Sequence, residues 1–172
     1  MEARNKIHSE EIINEIGAYL GDVSTRDSLA NGKGIFKYRE DGGQYEGAMK
    51  DGCRHGQGTY RWENGDKYIG EYKMGLRHGK GTYKYHNGDL YEGEYQDDQK
   101  SGFGVYKYSD GSRYEGYWKK DLKHGKGTYF YSNGYKYKGV WREDKKHRKG
   151  IMIKNKGLEF YEPQEFNHGK LF

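Results

Sequence analysis

YIGEYKMGLRHGKGTYKYHNGDL, residues 68–90, decides the fold. Tyr68, Gly70 and Tyr72 alternate with Ile69 and Glu71, and a period of two belongs to a strand. Gly79, Gly81, Tyr83 and Tyr85 again share one side, opposite Lys80, Thr82 and Lys84, which makes a second strand. A six-residue loop is expected between the two. His86-Asn87-Gly88-Asp89 follows, and Asn-Gly predicts a tight hairpin turn because both residues tolerate positive φ. The stretch is a hairpin that feeds directly into another.

It recurs. Tyr45, Tyr68, Tyr91, Tyr114 and Tyr137 stand 23 residues apart, and two residues after each comes Gly47, Gly70, Gly93, Gly116 or Gly139. Gly58, Gly81, Gly104, Gly127 and Gly150 keep the same step. A fixed period of this size marks a repeat architecture of stacked supersecondary units. The expected fold class is mainly β: an elongated, single-layer, twisted antiparallel meander of hairpins. With strands ~4.8 Å apart, five repeats extend on the order of 50 Å.

One face carries large rings beside bare backbone. First strands present Tyr68-Gly70-Tyr72, Tyr91-Gly93-Tyr95 and Tyr114-Gly116-Trp118. Second strands add Tyr83 and Tyr85, or Tyr129 and Tyr131. Glycine weakens a strand unless another group approaches closely, and rings lying across it supply that shelter. These residues are therefore expected to be structural. Only 32% of the chain is hydrophobic while 16% is aromatic, so a core of tyrosine on glycine replaces the usual aliphatic one. Strict period and abundant aromatics also exclude disorder, despite 33% charged residues.

The array begins with a half repeat, 32–44, followed by five repeats from Tyr45, giving a repeat region at 32–159. Upstream, Ser9, Glu10 and Glu11 suit a helix start, and Ile12, Ile13, Ile16, Tyr19 and Leu20 fall on one helical stripe. Residues 1–31 are read as a short N-terminal helix at about 9–20 plus a polar linker. Residues 160–172 form a C-terminal capping tail, with Phe160, Tyr161, Phe166, Leu171 and Phe172 around Pro163 expected to pack irregularly over the last strands.

The pattern Tyr-x-Gly-x-Tyr/Trp, a short loop, then His-Gly-x-Gly resembles the MORN (membrane occupation and recognition nexus) repeat. It is clearest from Tyr68 to Gly88, and again in Tyr114-Glu115-Gly116-Tyr117-Trp118 with His124-Gly125-Lys126-Gly127. The third repeat departs with Ser101 for histidine. In the fifth, Arg148, Met152 and Lys154 replace a glycine and two aromatics. The resemblance implies an assembly platform. Such repeats occur in radial-spoke head components of cilia, in junctional-membrane proteins and in fusions to kinase or methyltransferase domains. Short MORN-only chains resemble scaffolds of axonemes or other cytoskeletal assemblies, and phospholipid binding is also attributed to the repeat.

No catalytic, metal or cofactor site is expected. The series His55, His78, His124, His147 recurs ~10 Å apart on neighbouring repeats, too far for two nitrogens bound at ~2.0–2.1 Å to share one zinc. Gly79-Lys80-Gly81 precedes a strand, whereas phosphate loops need a helix N-terminus. Ser112 and Ser132 lie in or beside turns with no neighbouring base. The lone Cys53 argues for a reducing compartment, and no apolar run approaches ~20 residues. A cytoplasmic or cytoskeletal location, with the cilium or flagellum axoneme as the specific expectation, follows from these features and the resemblance together.

Two surfaces remain for partners. Net charge is +5, but residues 117–156 hold 13 Lys or Arg against 3 Asp or Glu. Lys119, Lys120, Lys123, Lys145, Lys146, Arg148 and Lys149 form the expected patch for an anionic partner, lipid included, or else plain solvated surface. On the back face, polar in the first half, the later repeats carry Phe103, Val105, Tyr117, Phe130, Val140, Ile151 and Ile153. A docking face of this kind is covered either by the chain's own terminal segments or by another protein. Expected partners are other subunits of a large complex, with edge strands open to self-association. A peripheral membrane adaptor is the alternative. Nucleic acid is not expected, because Tyr129 and Tyr131 are committed to their own glycines.

Overall fold

The structure is a computed structural model and describes residues 6–13, 17–24, 30–154, 164–167 and 170–171. The chain forms two compact units, Met1–His86 and Asn87–Phe172. Unit 1 holds β1 (Lys6–Ile13), β2 (Gly17–Ser24), β3 (Ala30–Tyr38), β4 (Gln44–Lys50), β5 (Cys53–Arg61), β6 (Lys67–Lys73) and β7 (Leu76–Lys84). Unit 2 holds β8 (Leu90–Gln96), β9 (Gln99–Lys107), β10 (Arg113–Lys119), β11 (Leu122–Phe130), β12 (Tyr135–Arg142), β13 (Lys145–Lys154), β14 (Gln164–Asn167) and β15 (Lys170–Leu171). Within each unit every strand pairs antiparallel with its sequence neighbour. The antiparallel meander is the fold, as the alternating pattern requires.

The N-terminal helix is not. Where it was expected, β1 and β2 are strands, paired from Glu10↔Gly21 to Ile13↔Ala18. Tyr19-Leu20-Gly21 is in fact another Tyr-x-Gly. Tyr19 is buried, and a side chain on Gly34 would strike its ring. The stripe of Ile12, Tyr19 and Leu20 fits a helical period only; pairing to the neighbouring strand decides for β and puts Leu20, 51% exposed, on the face opposite the buried Tyr19. At the other end, the tail adds strands at the sheet edge, Arg148↔Phe166 being one pair. Phe160, Tyr161, Pro163 and Phe172 lie outside the described residues.

The two kinds of connection are also interchanged. The six-residue loop is a two-residue turn, with positive φ at Met74 (50°) and Gly75 (85°), and again at Asp97 (49°) and Asp98 (67°). Two consecutive positive φ values match the twist of a hairpin. The Asn-Gly segment is the longer link: Trp62 N–H donates to the Asp66 carbonyl, Gly65 N–H returns to that of Trp62, and Gly65 has φ 92°. Asn64 instead accepts the Asp66 N–H on its side chain.

Each repeat hairpin then carries a bulge. Gly70 faces Gly81 but Tyr72 faces Arg77, so two extra residues are fitted into β7. The same shift occurs between Gly116↔Gly127 and Trp118↔Lys123, and between Gly21↔Gly34 and Val23↔Ala30. Gly79 takes φ 58° in this bulge, and in the last repeat Arg148 is forced to 59°.

The core is tyrosine on glycine. Tyr19, Tyr45, Tyr68, Tyr91, Tyr114 and Tyr137 are the largest fully buried side chains among the described residues. Tyr68 lies across Gly70 and Gly81 and donates its hydroxyl to the Glu71 carbonyl (3.0 Å); Tyr114 does the same over Gly116 and Gly127, to Tyr117 (3.1 Å). The third position of each first strand fastens neighbouring repeats. Tyr72 meets Tyr68 and Tyr45 edge-on at 5.2 and 5.3 Å, and Trp118 meets Tyr114 and Tyr91 at 5.2 and 5.4 Å. Edge-to-face pairs of this geometry contribute roughly 0.5–1.5 kcal/mol beyond area burial. Trp118 and Trp141 also donate Nε1–H to the carbonyls of Gly104 and Gly127.

Candidate functional site

The aromatic face packs against cations as well as glycines. Arg54, Arg77, Lys100, Lys123 and Lys146 also recur every 23 residues, and each cation lies over rings. Arg54 is 5.1 Å from the Tyr60 centroid and 5.3 Å from Tyr72. Lys100 is 4.9 Å from Tyr106 and 5.0 Å from Trp118; Lys123 is 5.5 Å from both Tyr129 and Trp141. Because the tight turn lets the second strand start early, Arg77 keeps the parity of Gly79 and Gly81 and lands on the aromatic side. Burial pushes the Lys123 ammonium below its usual pKa, Asp144 opposing.

A second ladder ties the longer links to the rings. Asp41, Asp66 and Asp89 accept the hydroxyls of Tyr60 (2.6 Å), Tyr83 (2.8 Å) and Tyr106 (2.8 Å). Burial raises the Asp66 pKa, but hydrogen bonds from the His86 N–H and ring and from Tyr83 outweigh it and hold the carboxyl below its usual range. Ser112 stands in the corresponding place, with Oγ 2.9 Å from the Tyr129 hydroxyl and 2.6 Å from Asp110. A carboxylate therefore does neighbour Ser112, and it holds the Ser112 hydroxyl against that of Tyr129.

The basic patch is divided by this arrangement. Lys123 and Lys146 sit over rings, Lys146 at 4.5 Å from Tyr137, and are withdrawn from the outer surface. Lys119, Lys120, Lys145, Arg148 and Lys149 are exposed. Lys120 occupies a tight turn and Arg148 a bulge.

On the back face of unit 2, cross-strand pairing places Phe103 opposite Tyr117, and their rings meet edge-on at 5.8 Å. They are 49% and 52% exposed, large values for such side chains. Val105 faces Glu115. Beyond β10 the apolar residues are interleaved with cations: Lys126 faces Val140, Lys138 faces Ile151 and Lys136 faces Ile153. Phe130 is capped by the Arg113 guanidinium at 3.8 Å, which also binds Glu115 at 2.6 Å. The seven residues therefore form a mosaic rather than one apolar sheet. Its recess is a shallow groove of about 440 Å³, lined by Phe103, Glu115, Tyr117, Lys126, Lys138 and Val140 among others. The alternation of Lys126, Lys136 and Lys138 with apolar positions was visible in the sequence, but a hydrophobic tally passes over it.

The MORN repeat family model matches residues 45–67, 68–90, 91–113, 114–134 and 137–159. Among curated proteins no match was found. Of solved structures, the SAS-4 (dCPAP) TCP domain of Drosophila melanogaster, in complex with a proline-rich motif of Ana2 (dSTIL), is similar at 14% identity. It covers 89% of this chain and 88% of its own, with a TM-score of 0.50. The wild-type TCP10 domain of Danio rerio CPAP aligns at 12% identity over 94% of each chain, with a TM-score of 0.23. At this identity the first likeness concerns the fold.

Proposed function

Because the chain belongs to the MORN repeat family, a family of protein-interaction or membrane-binding modules, we propose that it is a non-enzymatic scaffold holding protein subunits in a large cytoskeletal assembly. The carrying observation is the division between its faces. Rings, glycines and the Arg54-to-Lys146 cations are consumed in holding the sheet, whereas Phe103 and Tyr117 stand half exposed on the other side. The specific setting we favour is the ciliary or flagellar axoneme, in a radial-spoke-like position. That the similar TCP domain was solved with a proline-rich motif supports a peptide segment as the kind of partner.

Detergent extraction of native cells tests this. The scaffold reading expects the protein to stay with the detergent-insoluble cytoskeleton and to co-purify with fixed partners; a protein recovered wholly soluble and unaccompanied would sink it.

A second reading has its own observation. Lys126, Lys136 and Lys138 alternate with Val140, Ile151 and Ile153 on one face, a pattern that also suits an anionic membrane surface. Co-sedimentation with phosphatidylserine vesicles that weakens steeply with salt favours this adaptor role over the scaffold.

A further inference from the structure

We propose that the back face of β9–β12 takes an extended acidic protein segment bearing one or two apolar side chains, whose carboxylates meet Lys126, Lys136 and Lys138 while its apolar groups cover Phe103, Tyr117 and Val140. The proposal rests on the scaffold reading and names the partner chemistry for it. Charge complementarity decides the sign. Lys126, Lys136 and Lys138 have no ion-pair partner among the described residues, and the one acidic side chain lining the groove, Glu115, is already held by Arg113 at 2.6 Å. The face therefore presents unbalanced positive charge beside exposed rings.

Geometry decides for a chain rather than a plane. Phe103, Tyr117, Lys126 and Val140 follow one another across four strands, with Phe103 paired to Tyr117 and Lys126 to Val140. Neighbouring strands are ~4.8 Å apart, so the row is on the order of 15 Å long, about five residues of extended polypeptide. These four side chains, with Gly116, Gly127 and Gly139, line a shallow groove, which an inserted side chain fills and a flat bilayer surface does not.

The test is fluorescence anisotropy with the full chain and a fluorescein-labelled peptide of about ten residues, mostly Glu with two Leu. Binding is expected to weaken with salt, to vanish when Gln replaces Glu, and to fall at least about tenfold in Lys126→Glu/Lys138→Glu. Tyr117→Ser is expected to weaken it about fivefold through lost apolar contact. Lys119→Glu/Lys145→Glu, outside the groove, serves as the net-charge control. All these side chains are exposed, so urea unfolding midpoints are expected to stay unchanged. No binding to the wild type, equal loss in the control variant, or capture of phosphatidylserine vesicles without capture of the peptide overturns the proposal. If the peptide fails while the native protein remains in the detergent-insoluble cytoskeleton, only this docking falls; absence from that fraction removes the scaffold reading instead.

Discussion

Gly127→Ala probes the device on which the sheet depends. A Cβ at this position would lie 2.3 Å from the Tyr114 hydroxyl oxygen and 2.6 Å from two of its ring carbons, an overlap of about 1 Å against ordinary contact. Tyr114 has nowhere to go. It is 0% exposed, hydrogen-bonded to the Tyr117 carbonyl, and wedged edge-on between Trp118 (5.2 Å) and Trp141 (5.3 Å). Overpacking costs about 1–3 kcal/mol where neighbours yield, and ejecting a buried aromatic about 3–5 kcal/mol. Replacing a strand glycine returns roughly 0.5–1 kcal/mol through the unfolded chain. A net loss of about 3 kcal/mol follows, read by urea unfolding with Trp fluorescence, since Trp118 and Trp141 report on the site. Tyr114→Ala removes the obstacle, so Tyr114→Ala/Gly127→Ala is expected to fall short of the summed single losses by about 2 kcal/mol. A Gly127→Ala loss under about 0.5 kcal/mol, or simple additivity of the pair, would refute the account.

Tyr72→Phe and Tyr114→Phe are expected to move in opposite directions. The Tyr72 hydroxyl is buried with no hydrogen-bond partner among the described residues, so removing it stabilises by about 1 kcal/mol, whereas Tyr114→Phe loses a bond worth about 1 kcal/mol. Arg148→Gly relieves a positive φ of 59° and raises the thermal midpoint by about 2–4 °C, a net gain of roughly 1 kcal/mol after the unfolded-chain entropy of glycine. Acid unfolding reports the Asp ladder. Asp41, Asp66 and Asp89 have folded pKa values below the unfolded value near ~3.9, so their contribution is present above that pH and lost as pH falls through the folded values. Asp66→Asn/Asp89→Asn should flatten the loss seen by circular dichroism below about pH 4. In alkali the sign reverses. Burial pushes Tyr45 up to about 12, so its contribution holds below pH ~10 and is lost as pH rises above it, and absorbance at ~295 nm should show phenolate appearing only with unfolding.

How much of this was legible depended on whether a residue's role is set by its own strand or by its neighbours. The alternation in 68–90 carried the hairpin, and Tyr-x-Gly carried the ring-on-backbone core, because both are local. Met74-Gly75 did not look like a tight turn because Met lacks the usual turn chemistry, and only the fixed glycine partner reveals it. That single displacement hid Arg54, Arg77, Lys100, Lys123 and Lys146 in a supposed loop, although their 23-residue step was as regular as that of the tyrosines. Tyr19 was masked in another way, by a 26-residue distance to Tyr45 and by an apolar stripe that fits a helix.

The same distinction bears on function. A cation on the aromatic side is held over several rings, as Lys123 is by Tyr108, Tyr114, Tyr129 and Trp141, and changing it alters the sheet. A cation on the back is exposed and lies over no ring among the described residues: Lys126 faces Val140, and Lys138 faces Thr128 and Ile151, so changing either is expected to alter what the surface attracts rather than the stack. Repeats that must keep Tyr, Gly and the ring-facing cation can therefore still differ freely on the back, from Glu71 in unit 1 to Tyr117 and Val140 in unit 2. Specificity for a partner can be written there without disturbing the stack, and Lys126→Glu beside Lys123→Glu separates the two cases. The first should leave the unfolding midpoint in place, and the second should lower it by placing an anion against ring faces that favour cations.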